Sequence, residues 1–341
     1  MALNVLFTVD TEFYPIKKHW RTGNIAADIR RDIYGDTQRG SFGITYQLEM
    51  FARYGIKAVF FLEGLHASCG RVGMSHLNEL VQLIYSYGQE IQLHVHPEWV
   101  PFLSGTPVED RGYLLTYYSE DEQYRLIEIA ANNLVKAGAK PAIAFRGGDY
   151  GANQNTLRAL TRAGFRYDSS YNFPYLKTTC AIDCEPLWQA ARIEPGIWEV
   201  PISCFEDRRG HFRHCQVCAC SAPEIINSIR QAVQRSWQTY VIVSHSFEML
   251  GNRKPERTGR PRWQVIKRFE SECEWLASNR SVAITSHFSD LDLCNTGTVS
   301  PLSGRMRDRV LRNFEQVADR ITLRLNISCL SSCFSRPRGV V

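Results

Sequence analysis

Short apolar runs that stop on a polar residue, each followed by helical periodicity, set the strongest limit on what this chain can fold into. Residues 4–10 (NVLFTVD), 57–62 (KAVFFL), 90–96 (EIQLHVH), 142–146, 165–168, 240–244 and 282–285 read as strands. Residues 42–54, 75–87, 119–137, 155–163, 223–237 and 263–278 read as helices. Ser75 is placed to cap the second of these, and Gly55, Gly88, Gly138 and Gly164 stop four of them. Such alternation asks for a parallel sheet covered by helices, and about seven repeats favour a barrel over an open sheet. Residues 172–222 are less regular, with β-rich pieces at 198–204 and 211–220. The expected architecture is an α/β chain, a distorted (β/α)7-type barrel over residues 1–295. A linker (296–305, TGTVSPLSGR) and a basic amphipathic tail complete residues 296–341.

Charge is concentrated at the end of the chain. The 341 residues carry 40 Lys+Arg and 35 Asp+Glu, net +5, and from Arg305 onward eight arginines face three acids. The body is therefore close to neutral, and nucleic-acid binding by charge is disfavoured. Met306, Val310, Phe314, Val317, Ile321 and Leu325 recur at helical spacing among Arg305, Arg309, Arg312, Arg320 and Arg324. The simplest expectation is a last helix packed on the barrel; the second is peripheral contact with an anionic inner-membrane surface through residues 305–325. The start, MALNVLFTVD, lacks a cationic, apolar export signal, and no run of 18 apolar residues occurs. The expectation is a cytoplasmic protein whose eleven cysteines are reduced.

The polar residues at the strand ends carry the chemistry. Asp10 with Glu12, His94 with His96, Arg146, and His245 each close an apolar run, and in a β/α barrel those ends open onto one face. His94 and His96 stand two apart and project to one side, so both rings can reach one ion, with Glu12 as the oxygen donor. Two half-buried imidazoles bonded to loop carbonyls are the plainer alternative. A second cluster, His211, His214, Cys215, Cys218 and Cys220, has a C-x2-C-x-C spacing but no matching pair downstream, so small apolar thiols are favoured over structural zinc.

Taken in order, these residues resemble the polysaccharide deacetylase superfamily, the chitin- and peptidoglycan-deacetylase-like carbohydrate esterases of family four. Thr8-Val9-Asp10-Thr11-Glu12 is similar to the first motif, with its second acid one place later. Gly88 to Pro97 (GQEIQLHVHP) resembles the second, with two residues fewer between the histidines. Phe145-Arg146-Gly147-Gly148-Asp149-Tyr150-Gly151 resembles the third, one residue longer and without its proline. Glu199-Val200-Pro201 and the late His245 of VIVSHS complete a likeness that spans about residues 3–250.

The resemblance implies hydrolysis of an N-acyl group, most often acetyl, from an amino sugar, with a divalent metal, most often Zn2+, held by Glu12, His94 and His96. The shortened histidine spacing leaves His96 and Glu98 as rivals for the third ligand. Asp10 would be the general base, Arg146 its partner, His245 the general acid, and a backbone N–H of residues 148–151 an oxyanion donor. Asp168 is either a supporting partner or a structural cap. His287 in VAITSHFSD competes with His245 for the acid role, and His245 matches the family position. Given the missing export signal, the expected substrate is a nucleotide- or lipid-linked amino sugar. Two alternatives remain: a related C–N hydrolase acting on a formamide or ureide, and an inactive barrel used for binding.

Overall fold

In the computed structural model, residues 2–14, 23–251, 259–295 and 299–325 are described. The linker expected at 296–305 thus lies partly outside the described residues, and the tail after residue 325 lies wholly outside them. The strands that matter are β1 (Leu3–Thr11), β2 (Ala58–Glu63), β3 (Glu90–Val95), β4 (Ala144–Gly147), β5 (Tyr167–Asp168), β6 (Ala191–Glu194), β7 (Ile197–Glu199), β8 (Cys204–Arg208), β9 (His211–His214), β10 (Thr239–His245), β11 (Ala283–Thr285) and β12 (Leu302–Ser303). The main helices are α1 (Ile44–Tyr54), α2 (Met74–Ser86), α3 (Glu120–Lys136), α4 (Gln154–Arg162), α5 (Ala222–Gln234), α6 (Trp263–Ser278) and α7 (Met306–Leu325).

One sheet runs β10-β1-β2-β3-β4-β5-β7-β6, and β11 also pairs with β1. Every pairing in it is parallel except β6 with β7. The sheet curls into the expected distorted barrel. Its seam, between the β6–β7 hairpin and β10, is bridged by residues 203–217: the Val241 N–H donates to Ser203 Oγ (2.8 Å), and the Val243 N–H to the Cys215 carbonyl (2.9 Å).

The strands read as continuous apolar runs because both faces are covered. Val5, Phe7, Phe60 and Leu62 pack outward against helices, with Phe7 edge-on to Phe51 of α1 and Phe269 of α6. Leu6, Val59, Phe61, Ala144, Val241 and Val243 fill the barrel interior. The interior positions that follow along the same strands are Thr8, Asp10, Arg146 and His245. The lower barrel is therefore sealed, and polar groups gather at the strand C-terminal end.

Local sequence explains most boundaries. Ser119, Asn153 and Ser221 each make a capping box at the start of α3, α4 and α5. Four details depart from expectation. Helix α2 starts at Met74 on Gly73, so Ser75 lies inside it. The piece at 198–204 divides around Pro201, which has no N–H for a ladder: β7 stays in the barrel and β8 joins β9 and β12 in a small separate sheet. The run 211–220 is a strand only to His214, and β12 forms inside the expected linker.

Helix α7 forms at the expected place and packs on α5 and α6, but through its polar side; the apolar residues face out. No helix among the described residues is long and apolar enough to cross a membrane.

Candidate metal centre and active site

Parallel register brings the strand ends together. Asp10 lies beside His245 of β10 on one side and Phe61 of β2 on the other, Glu63 beside His94, and His94 beside Arg146. Asp10, His94 and His245 face a cavity of about 220 Å3 whose wall also includes Glu12, Asp149, Tyr150, Tyr175 and Gln216.

The fully buried Arg146 anchors this layer. Its Nη1 donates to Asp10 Oδ1 (2.6 Å) and Thr8 Oγ1 (2.9 Å), its Nε to the Ser169 carbonyl (3.0 Å), and its Nη2 to Ser169 Oγ (3.1 Å). The guanidinium also lies 4.2 Å from the centre of the Phe61 ring. A buried pair of this kind fixes geometry, since each charge would be costly alone.

Glu12, His94 and His96 converge beside it. His94 Nε2 is 3.1 Å from Glu12 Oε2 and 3.0 Å from His96 Nε2, and His96 Nε2 also meets Glu12 Oε2. His94 Nδ1 donates to the Arg146 carbonyl (2.8 Å), which turns its Nε2 towards the cluster. Two imidazole nitrogens and a carboxylate oxygen within 4.8 Å of one another, all buried, are a donor set suited to a divalent cation. Burial alone would raise the Glu12 carboxyl, but His96 and His94 hold it well below the usual range. Burial opposes charge on His96, yet Glu12, Glu98 and Glu63 push it well above the ordinary imidazole value. Glu98 sits behind His96, with Oε2 3.4 Å from Nδ1, so the geometry groups His96 and not Glu98 with Glu12 and His94.

His245 closes the other side. Its Nε2 is 4.0 Å from Asp10 Oδ2 and 3.8 Å from Glu12 Oε1. Its Nδ1 lies 3.5 Å from Glu248 Oε1 and 3.2 Å from Gln216 Nε2, and its ring stacks on Phe247. Burial disfavours the imidazolium, but Glu248, then Asp10 and Glu12, push the pKa up to about 9.

The loop after β4 explains its own departure from the motif. A Cβ on Gly148 would stand 2.4 Å from His96 Nδ1, and one on Gly147 would stand 2.5 Å from the Gly151 carbonyl, so both positions need glycine. Asp149 and Tyr150 then adopt φ of 52° and 59°, an uncommon conformation for two successive non-glycine residues. Asp149 thereby joins the cavity wall; burial raises its carboxyl, and His96 counters that. The Gly151 N–H donates to the Gly148 carbonyl (2.9 Å), which narrows the candidate oxyanion donors to residues 148–150.

Other candidates lie elsewhere. Asp168 stays out of the cavity: Ser170 Oγ donates to it (2.6 Å) and accepts the Gly147 N–H (2.9 Å), so Asp168 supports the β4 loop from behind. Glu199 shares that buried position, and burial next to Asp168 pushes its carboxyl well above the ordinary value. His287 is at the opposite end of the barrel. β11 stops level with Val5, and the following turn meets Lys57 and Glu90 at the starts of β2 and β3. The cysteine cluster builds no metal site: His211 pairs with Asp207, Cys215 Sγ contacts the Tyr240 hydroxyl, and burial pushes the Cys215 thiol upward. Among the described residues no second grouping of His, Cys, Asp and Glu resembles the Glu12 site. The described cysteines are free thiols.

Two residues of the site are not among the candidates named from the sequence. Glu63, at the end of β2, accepts the N–H of Leu65 and of His96 (each 2.6 Å) and is raised to about 7 by burial, against the pull of His96 and His94. Its signal is nevertheless present, since it is one more acid ending an apolar run. Glu248 gives no such signal, because it follows the strand.

No protein-family model matches the chain, and no curated protein matches it. Solved structures do. A protein from Mycobacterium smegmatis assigned as a polysaccharide deacetylase is 15% identical over 83% of this chain and 87% of that chain, with a TM-score of 0.50. A family 4 carbohydrate esterase from Streptomyces lividans in complex with acetate is 12% identical over 83% and 92%, with a TM-score of 0.40. The 4-alpha-glucanotransferase from Thermococcus litoralis is 14% identical over 85% and 40%, with a TM-score of 0.49. The first likeness establishes the fold and lies in the group that the motifs resemble. Chemistry has to be argued from the cavity.

Proposed function

We propose that this protein is a metal-dependent hydrolase that removes an N-acyl group, in the first place N-acetyl, from an amino sugar. One observation carries the reading: Asp10, held by Arg146 behind it, meets Glu12 and His94 of the Glu12–His94–His96 donor set and His245 in the wall of one small polar cavity. A divalent metal, most readily Zn2+ for two imidazoles and one carboxylate, would polarise the acyl carbonyl and acidify water there. Asp10, steadied by Arg146, accepts the proton of the attacking water. His245, held protonated beside Glu248, returns a proton to the amine as the amide C–N bond breaks, giving a carboxylic acid and a free amino sugar. A backbone N–H of residues 148–150 supports the developing oxyanion.

The cavity suits a short acyl group, and its mouth is where the sugar would lie. The test is release of acetate from a panel of N-acetylated amino-sugar substrates, free, nucleotide-linked and lipid-linked, by protein loaded with zinc. Activity that is lost on chelation and restored by zinc is expected. Full activity after chelation, or none on any amino sugar, would sink the reading.

A further inference from the structure

Helix α7 is built inside out for a helix that packs on a protein core. Its acids are Asp308, Glu315 and Asp319, and all three turn toward the body. Glu315 pairs with Arg268 (2.7 Å) and Asp319 with Arg262 (2.8 Å), while Arg312, only 3% exposed, reaches Glu224 (2.7 Å) and Asp207 (3.2 Å). Docking is therefore made by ion pairs. The opposite face presents Met306 (72% exposed), Val310, Phe314 (71%), Val317 (53%) and Ile321. Their spacing of four, four, three and four residues makes one stripe along the helix. At about 100° per residue the exposed Arg307 and Arg320 fall on its two borders. Among the described residues of α7, the outward face carries cations and apolar groups but no acid.

We propose that this face docks on an anionic lipid membrane. An apolar stripe of this extent on the surface marks an interaction site, and its rim selects the occupant. A bilayer containing acidic lipids takes the apolar side chains below the headgroups and the arginines at their level. A nucleic acid would leave five large apolar groups without a role. A second copy of the helix would bring like-charged rims together.

The position of α7 adds a direction. Helices α5 and α6 each lead into a strand parallel to β1, so their N-terminal ends lie at the end of the barrel where the cavity opens. Glu224 is in the first turn of α5, and Arg262 immediately precedes α6. Docking through α7 thus brings the cavity end of the barrel toward the bilayer. The proposal stands apart from the chemistry assigned to the cavity.

The experiment is co-sedimentation of the full chain with vesicles of phosphatidylcholine alone and of phosphatidylcholine mixed with phosphatidylglycerol. Binding to the mixed vesicles only, weakened by salt, is expected. The Phe314→Asp/Val317→Asp and Arg307→Gln/Arg320→Gln variants should each lose at least about tenfold in vesicle affinity. Their thermal midpoints should match the parent, because these side chains face solvent. Absence of binding, equal binding to both vesicles, or binding indifferent to both variants would overturn the proposal. So would self-association that depends on Phe314 without vesicle binding. A chain ending at residue 325 that binds where the full chain does not would put residues 326–341 on the stripe, and it would overturn the proposal equally.

Discussion

Asp10 and His245 are 4.0 Å apart, yet the work proposed for them separates cleanly from that of the metal donors. His94 offers a ring nitrogen to the cluster, so His94→Ala should lose both turnover and bound metal. His245 stands beside the cluster, so His245→Ala should lower kcat by about 10²–10⁴-fold while metal content is unchanged. Asp10→Asn should behave like His245→Ala, and His287→Ala, at the far end of the barrel, should keep most activity. Turnover measured alongside metal analysis of the same preparations checks all four. Release of metal by His245→Ala, or a deeper defect in His287→Ala, would require the roles to be redrawn. The residues at this scale are readable because parallel strands align their ends, so an acid, a histidine pair, an arginine and a late histidine report one another. Glu248 is not readable. Its partnership with His245 depends on a turn after β10 and on Gln216 arriving from a different segment. An acid three residues past a strand otherwise reads as surface.

At the scale of elements, the β4 loop and the β5–β7 edge hold the site in place. Gly148→Ala would push a methyl into His96 Nδ1. It should cost about 1–3 kcal/mol of stability and about 10–100-fold in zinc affinity, read by denaturant unfolding and by competition with a chelator. Zinc affinity equal to that of the parent would show that His96 yields without consequence. On the neighbouring strands, burial raises the folded-state pKa of Glu199 well above the ordinary carboxylate value. The folded form then keeps a proton that the unfolded chain releases above its own carboxylate pKa, so this contribution is present at low pH and is lost as pH rises toward the folded value. Glu199→Gln, which can still donate to Asp168, should therefore show a smaller fall in thermal midpoint between pH 5 and 8 than the parent. An unchanged slope would assign the proton elsewhere. Strands and helices are legible here from apolar runs, capping residues and terminal glycines. The division at Pro201 and the tight loop at Gly147-Gly148 are not, because both answer to contacts made by distant segments.

For the molecule as a whole, α7 shows that an amphipathic pattern locates a helix without saying which of its sides turns inward. The 3.6-residue period locates the helix, but only the positions of Glu224, Asp207, Arg262 and Arg268 decide that its charged face turns inward. Arg312→Ala would leave Glu224 and Asp207 without their buried cation and should cost about 3–5 kcal/mol in denaturant unfolding. A loss under about 1 kcal/mol, the level of an exposed ion pair, would mean that the helix is held by something other than these pairs. The order of the sheet has a consequence for synthesis. Of the strands of the sheet β1 is made first, and one of its edges is claimed by β2 early and completed by Ala283–Thr285, but the other is matched only by Thr239–His245. A growing chain must therefore keep one flank of this apolar strand unmated until most of the barrel has left the ribosome. During that interval neither Asp10 nor the cavity has its final neighbour, and the open flank invites pairing with other chains. Nascent fragments of this protein should depend on chaperones to a degree that the finished barrel, with that edge covered, does not.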